Sequence, residues 1–250
     1  NLVYKARNDE ILLDLPVSAS AEERLTDKSC LNVEDIVRFA DTVDPALLEP
    51  VLERQIRYNS AIAEEGIRGG WGAEIGRILL EGANGDIQTE AKAYAAAGSD
   101  ARMSGCELPV VILSGSGNQG ITASLPVIRY AKHLGASREQ LLRALALSDL
   151  ITIHQKTGIG RLSAYCGAIS AGVGAGAGVC YLQGGGYTAV AHTVVNAVAV
   201  LSGTICDGAK PSCAAKIAAA VDAGIMGYRM YLHDREFRRG EGIVSDSVDK

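Results

Sequence analysis

The amino-acid sequence predicts a mainly α protein: a multi-helix domain with a short β remnant at the N-terminus. Three observations predict it. Apolar residues recur at helical spacing from Asn32 onward, capping residues stand where those runs begin, and strand-like runs are confined to residues 1–18. With 250 residues the chain is long enough for one large domain, or for one domain and part of another. Hydrophobic residues at 48% and charged residues at 21% place it among folded proteins, not disordered ones.

Taken in order, Leu2-Val3-Tyr4 and Ile11-Leu12-Leu13-Asp14-Leu15 read as two short strands joined by the turn-prone Asn8-Asp9. Two strands make no stable sheet alone, so residues 1–18 are expected to be the tail of a domain whose remainder is absent, with a polar linker over 19–30. The chain opens on Asn1 in place of Met, as expected of a processed or truncated piece. Residues 31–250 form the second, helical domain. Asn32 is a credible N-cap, Glu34 and Asp35 favour the positive helix end, and Ile36, Phe39, Ala40 and Val43 supply an apolar face. Further helices are predicted over 45–68, 71–82, 86–104, 118–134 and 138–156, and a last Ala-rich one over 212–232.

Between Leu162 and Cys206 there is no Asp, Glu, Lys or Arg, a length that could supply two membrane spans. The glycines at 172, 174, 176, 178 and 184–186 stand where Leu, Ile and Phe would drive insertion. A buried helical hairpin is therefore predicted, and no membrane partner. With two Phe, one Trp and 29 Gly, the core must join small side chains at close backbone distance. A net charge of −5 without a basic run excludes nucleic acid as an expected partner. Six cysteines follow no secretory segment, so the expected location is cytoplasmic, where clustered thiols serve as ligands or catalysts more often than as disulfides.

Gly115-Ser116-Gly117-Asn118-Gln119-Gly120 matches the dinucleotide fingerprint, with apolar Val110–Leu113 before it. The match is a decoy, because Ser137-Arg138-Glu139-Gln140 opens a helix where the second strand of such a fold should lie. Glycines ahead of a helix still let successive N–H groups face one anion, and Ser114, Ser116, Asn118 and Gln119 add polar side chains. On residues alone, a carboxylate cradle and a simple polar turn are equally good readings.

Cys166 precedes Cys206 by 40 residues, and Cys206 precedes Cys213 by seven. On one helix the last two would lie about 10 Å apart, at a rise of about 1.5 Å per residue. Gly208 and Pro211 instead favour a loop able to fold back, with Ser212 as N-cap and Cys213 in the first helical turn, where the dipole favours thiolate. Layout alone leaves ligation and simple burial balanced. Cys180 and Cys106 read as packing residues, Cys30 carries no signal, and His192 reads as satisfied within the hairpin, with a Cys₃His zinc site as the other reading.

Four stretches carry a resemblance: Ser99–Cys106 (SDARMSGC), Ser114–Pro126 (SGSGNQGITASLP), Gly158–Ala164 (GIGRLSA) and Cys206–Lys210 (CDGAK). They resemble the L-cysteine desulfidase family, which is related to the α-chain domain of iron–sulfur L-serine dehydratases, and the likeness spans residues 32–250. It implies a [4Fe–4S] cluster held by Cys166, Cys206 and Cys213 with one iron open. It also implies α,β-elimination of L-cysteine to sulfide, ammonia and pyruvate, this chain being the cluster-carrying part. The substrate would rest on Ser114, Ser116, Gly117, Asn118, Gln119 and Gly120, with Arg161 as preferred cation and Lys156 second. The resemblance makes residues 1–30 the remnant of an N-terminal α/β domain plus linker; that domain's Cys-Thr-Glu-Pro motif, which supplies a base in the family, has no match here, so no catalytic residue is identified in this chain and it is expected to be inactive alone. Expected partners are a small amino acid and either a second copy of the chain or that N-terminal portion. L-serine dehydration is the nearest alternative; a zinc-stabilised or metal-free small-molecule-binding domain is the alternative of another class.

Overall fold

The computed structural model describes residues 2–16, 26–160, 163–206 and 208–249. The chain forms two compact units, Asn1–Cys30 and Leu31–Lys250. In the first, β1 (Tyr4–Arg7) and β2 (Glu10–Asp14) pair as an antiparallel hairpin whose turn places Asn8 at φ 55°. This hairpin is the one sheet among the described residues, so the glycine loop has no parallel sheet behind it.

The second unit is helical: α1 (Val33–Thr42), α2 (Pro45–Arg68), α3 (Ile75–Glu81), α4 (Ile87–Met103), α5 (Gly117–Leu134), α6 (Arg138–Ile159), α7 (Gly167–Leu182), α8 (Tyr187–Val200) and α9 (Cys213–Leu232). Local chemistry explains most boundaries. Asn32 accepts from the Asp35 amide, Asp44 from Ala46 and Asp86 from Thr89, while Ser137 and Gln140 close a reciprocal capping box. Helix α3 starts later than the predicted residue 71 because Gly69, Gly70, Gly72 and Glu74 all adopt positive φ. Phe39, expected on the apolar face of α1, is exposed instead; Val33, Ile36, Val37 and Ala40 form that face.

The charge-free stretch is a hairpin of α7 and α8, and α7 is the hub of the fold. Residues Ala168–Cys180 are buried without interruption, and α5, α6, α8 and α9 all pack on them. Contact between α7 and α9 is backbone against backbone: an added Cβ at Gly172 would stand 2.3 Å from the Ala220 carbonyl oxygen, and one at Gly176 2.3 Å from that of Gly224. Small side chains let the helices approach, and dispersion over that seam stands in for large apolar groups. No described helix is long and apolar enough to cross a membrane. Because α7 is fixed on every side, its N-terminus is a rigid platform, and Cys166 sits on it.

Candidate functional site

Cys166 occupies the N-cap position of α7. The residues around it pair with those around Cys206: Tyr165 and Ile205 form an isolated antiparallel bridge, the Cys166 amide donates to Thr204 O at 2.8 Å, and the Cys206 amide to Ala164 O at 2.6 Å. Two segments 40 residues apart in sequence thus run side by side as a short ribbon. Cys213 is the first residue of α9, its Sγ 3.8 Å from the carbonyl oxygen of Gly208, where φ +101° bends the connection back. Ser212 precedes it but its side chain caps nothing.

Burial pushes the Cys166 thiol up, against the opposing Ala168 amide; Cys206 and Cys213 push it further and Lys216 draws it down. The three thiols therefore share one electrostatic neighbourhood. Among the described residues, no three Cys, His, Asp or Glu side chains stand close enough to hold a metal ion. Three thiols, at a helix cap, beside an isolated bridge and at a helix start, are the donor type that an iron–sulfur cluster takes.

Lys156, in the last turn of α6, is 5% exposed. Burial lowers its pKa, and the neighbouring Cys166 and Cys206 oppose that shift. Arg161, the other cation expected here, lies outside the described residues.

In the glycine loop, Ser114 (φ 47°) and Gly115 (φ 87°) make a tight turn closed by paired bonds between Leu113 and Ser116. The Ser116 amide donates to Leu113 O and the Gly120 amide to Ser116 O, so these two are consumed by the turn. The first-turn amides of Gly117, Asn118 and Gln119 have no acceptor within α5, and all three residues are buried. Gly120 is required for packing, since a Cβ there would meet Val111 O at 2.0 Å. Asn118 Oδ1 accepts from Arg102 at 3.2 Å. The Gln119 carboxamide lies against Gly167, where a Cβ would stand 2.3 Å from Nε2. That contact joins the start of α5 to the residue after Cys166. The Ser114 Oγ and Gln119 Oε1 atoms are buried without a hydrogen-bond partner.

On another side of Cys166 an apolar cavity of ≈ 440 Å³ opens among Ile159, Ile169, Val198 and Leu201, with Tyr165, Ile205 and Ile243 at its rim. The remaining cysteines take no part: Cys180 is fully buried, its thiol pushed up to about 11 by burial, and Cys30 is exposed. His192 pairs with Glu236 at 2.7 Å and packs on Tyr231. Sequence reasoning missed Arg102; its place within the SDARMSGC stretch was the available signal.

The family model described as serine dehydratase alpha chain matches residues 15–250. A UPF0597 protein of Desulfitobacterium hafniense (strain Y51) is 57% identical over 249 residues, covering 100% of this chain and 58% of that protein. One from Lachnoclostridium phytofermentans is 53% identical over 229 residues, 92% of this chain and 55% of that protein. One from Treponema denticola is 46% identical over 256 residues, 100% of this chain and 59% of that protein. The chain thus spans less than two thirds of the length of these relatives. No solved structure matches it.

Proposed function

The chain belongs to the serine dehydratase alpha chain family, and from that premise we propose that residues 31–250 are the cluster-carrying domain of a lyase that splits L-cysteine into sulfide, ammonia and pyruvate. The observation that carries the reading is the pairing of the Cys166 and Cys206 segments through the Tyr165–Ile205 bridge, with Gln119 joining the start of α5 to Gly167 beside Cys166. Cys166, Cys206 and Cys213 would hold a [4Fe–4S] cluster. When bound, such a cluster supplies a Lewis-acidic iron for the leaving group on the β-carbon. Binding draws dispersed thiols together and displaces their protons, so the spacing of the free thiols does not oppose it.

The chain's own residues have three tasks in this reaction. The first-turn amides of Gly117, Asn118 and Gln119, at the positive end of α5, bind the substrate carboxylate. Buried Lys156 places positive charge beside the thiols, where the departing sulfur gains negative charge. The turn at Ser114–Ser116 sets where α5 begins. The overall step removes the Cα proton, breaks Cβ–S and releases sulfide; the aminoacrylate left behind tautomerises and takes up water to give ammonia and pyruvate. No residue of this chain is assigned the Cα proton.

L-serine is the second substrate reading, favoured by the family's description as a serine dehydratase alpha chain. The seven-residue Cys206-to-Cys213 interval, which resembles the desulfidase branch, favours cysteine. Anaerobic reconstitution of the intact protein tests both. The expected result is about four irons and four sulfides per chain, with faster sulfide release from L-cysteine than pyruvate formation from L-serine. Uptake of a single zinc, or neither product, would overturn the proposal.

A further inference from the structure

The start of α5 carries charge that no described residue balances. Arg102, from the last turn of α4, lies half-buried over it: a Cβ at Gly117 would stand 2.4 Å from Nε and 2.9 Å from Cζ. Its hydrogen bonds go to Asn118 Oδ1 and the Met103 sulfur, and it makes no ion pair with a described residue. A neutral amide orients a guanidinium without compensating its charge, and a half-buried cation without an anion is costly. The site asks for an anion.

One residue further along, it asks for a donor. Gln119 is 6% exposed, and its Oε1 has no hydrogen-bond partner. A buried carbonyl oxygen left unpaired forfeits the desolvation cost of that group unless a ligand supplies an N–H. A cation held on Asn118 without an anion among the described residues, and an unpaired acceptor on the next residue, Gln119, match one chemistry: the carboxylate and ammonium of an α-amino acid.

We propose that Arg102, oriented by Asn118, binds the carboxylate of the substrate, and that Gln119 Oε1 accepts from its ammonium. Arg102 then takes the role expected of Arg161, and Lys156 is left to the leaving-group end. Because Gln119 lies on Gly167, an amino acid gripped this way has its Cα beside the Cys166 end of α7 and its β-substituent free to face the thiols. The assignment rests on the lyase reading for the identity of the site, but not for the recognition of the amino-acid head.

L-alanine separates the two, because it has the head and no leaving group. Its binding to the anaerobically purified intact protein is measured by calorimetry, beside that of L-alanine methyl ester, in which the carboxylate is masked. Arg102→Gln should weaken L-alanine about ten- to a hundredfold and the ester less than about threefold; Arg102→Lys should recover part of the loss. Asn118→Asp, which gives Arg102 an internal anion without removing it, should weaken L-alanine similarly and covers the case in which Arg102→Gln fails to fold. Unchanged L-alanine binding in Arg102→Gln and Asn118→Asp, equal loss for acid and ester, or no L-alanine binding by the wild type would each overturn the proposal. Head-dependent binding without any sulfide or pyruvate production would sink the lyase reading and leave Arg102 in place; normal turnover with Arg102→Gln binding as wild type would do the reverse.

Discussion

The α7–α9 seam and the mouth at the starts of α5 and α7 are built from the same small residues to opposite ends. Along the seam, every close approach ends on a partner: the Gly172, Gly176 and Gly224 backbones touch directly. At the mouth, the backbone comes just as close, yet Ser114 Oγ and Gln119 Oε1 are left unpaired and Arg102 uncompensated. Glycine permits close packing in both regions, but at the mouth polar atoms beside it are left without partners. Where satisfaction is complete, the residues hold the fold; where it stops, they are arranged for something else to complete them.

The largest effect expected from breaking this contrast is on the seam. Gly224→Leu puts a side chain where a Cβ would meet Gly172 O at 2.0 Å, and neither backbone can yield. It should cost at least about 3 kcal/mol, seen as a large drop in the urea midpoint, with the protein failing to fold as the extreme. A loss under about 1 kcal/mol would show that the seam is looser than its geometry.

Cysteine offers the next test, since one residue type sits in both regions. Cys180→Ser buries a hydroxyl in place of a thiol at a site with no exposure, and should cost about 1–3 kcal/mol while iron and sulfide uptake stay intact. Cys166→Ser should cost about 1 kcal/mol or less and abolish most of that uptake. Equal iron content in the two variants would erase the distinction.

The smallest expected effect concerns a polar pair inside the helical unit. The Asp149 carboxyl is pushed up to about 7 by burial, opposed by the hydrogen bond from Gln55 Nε2 at 3.1 Å. Gln55 Oε1 has no partner, and a protonated Asp149 can donate to it. The folded-state pKa is raised, so the proton's contribution is full below the unfolded value of 3.8 and is lost as pH rises through about 7. Because Asp149 is only partly buried, solvent screening limits the change to about 1–2 kcal/mol. Asp149→Asn should flatten stability between those pH values; an unaltered pH slope by chemical denaturation would show that the carboxyl titrates normally.

The helices were legible because their signals are local. Asp86 and the Ser137–Gln140 box lie within four residues of the groups they satisfy, and the glycine-rich, charge-free run announces a buried hairpin by composition. Two local signals misled for a tertiary reason. Ser212 is well placed to cap α9 but its side chain does not, and Phe39 falls at core spacing on a face that α1 leaves exposed. Of the site, the loop and the three cysteines could be named from sequence, but neither their partners nor their directions.

By itself, then, the sequence determined the helical class, most helix ends and the residue types available for chemistry, because capping and periodicity act over one or two turns. Tertiary structure alone decided which helix starts converge. Arg102 meets Asn118 because the chain doubles back through residues 104–116, Gln119 meets Gly167 because α5 packs on α7, and Cys166 meets Cys206 because a single bridge at Tyr165 and Ile205 closes the α7–α8 hairpin. Those contacts span sixteen to forty-eight residues of chain. Nothing local encodes them; they follow from how a glycine-faced central helix lets its neighbours approach.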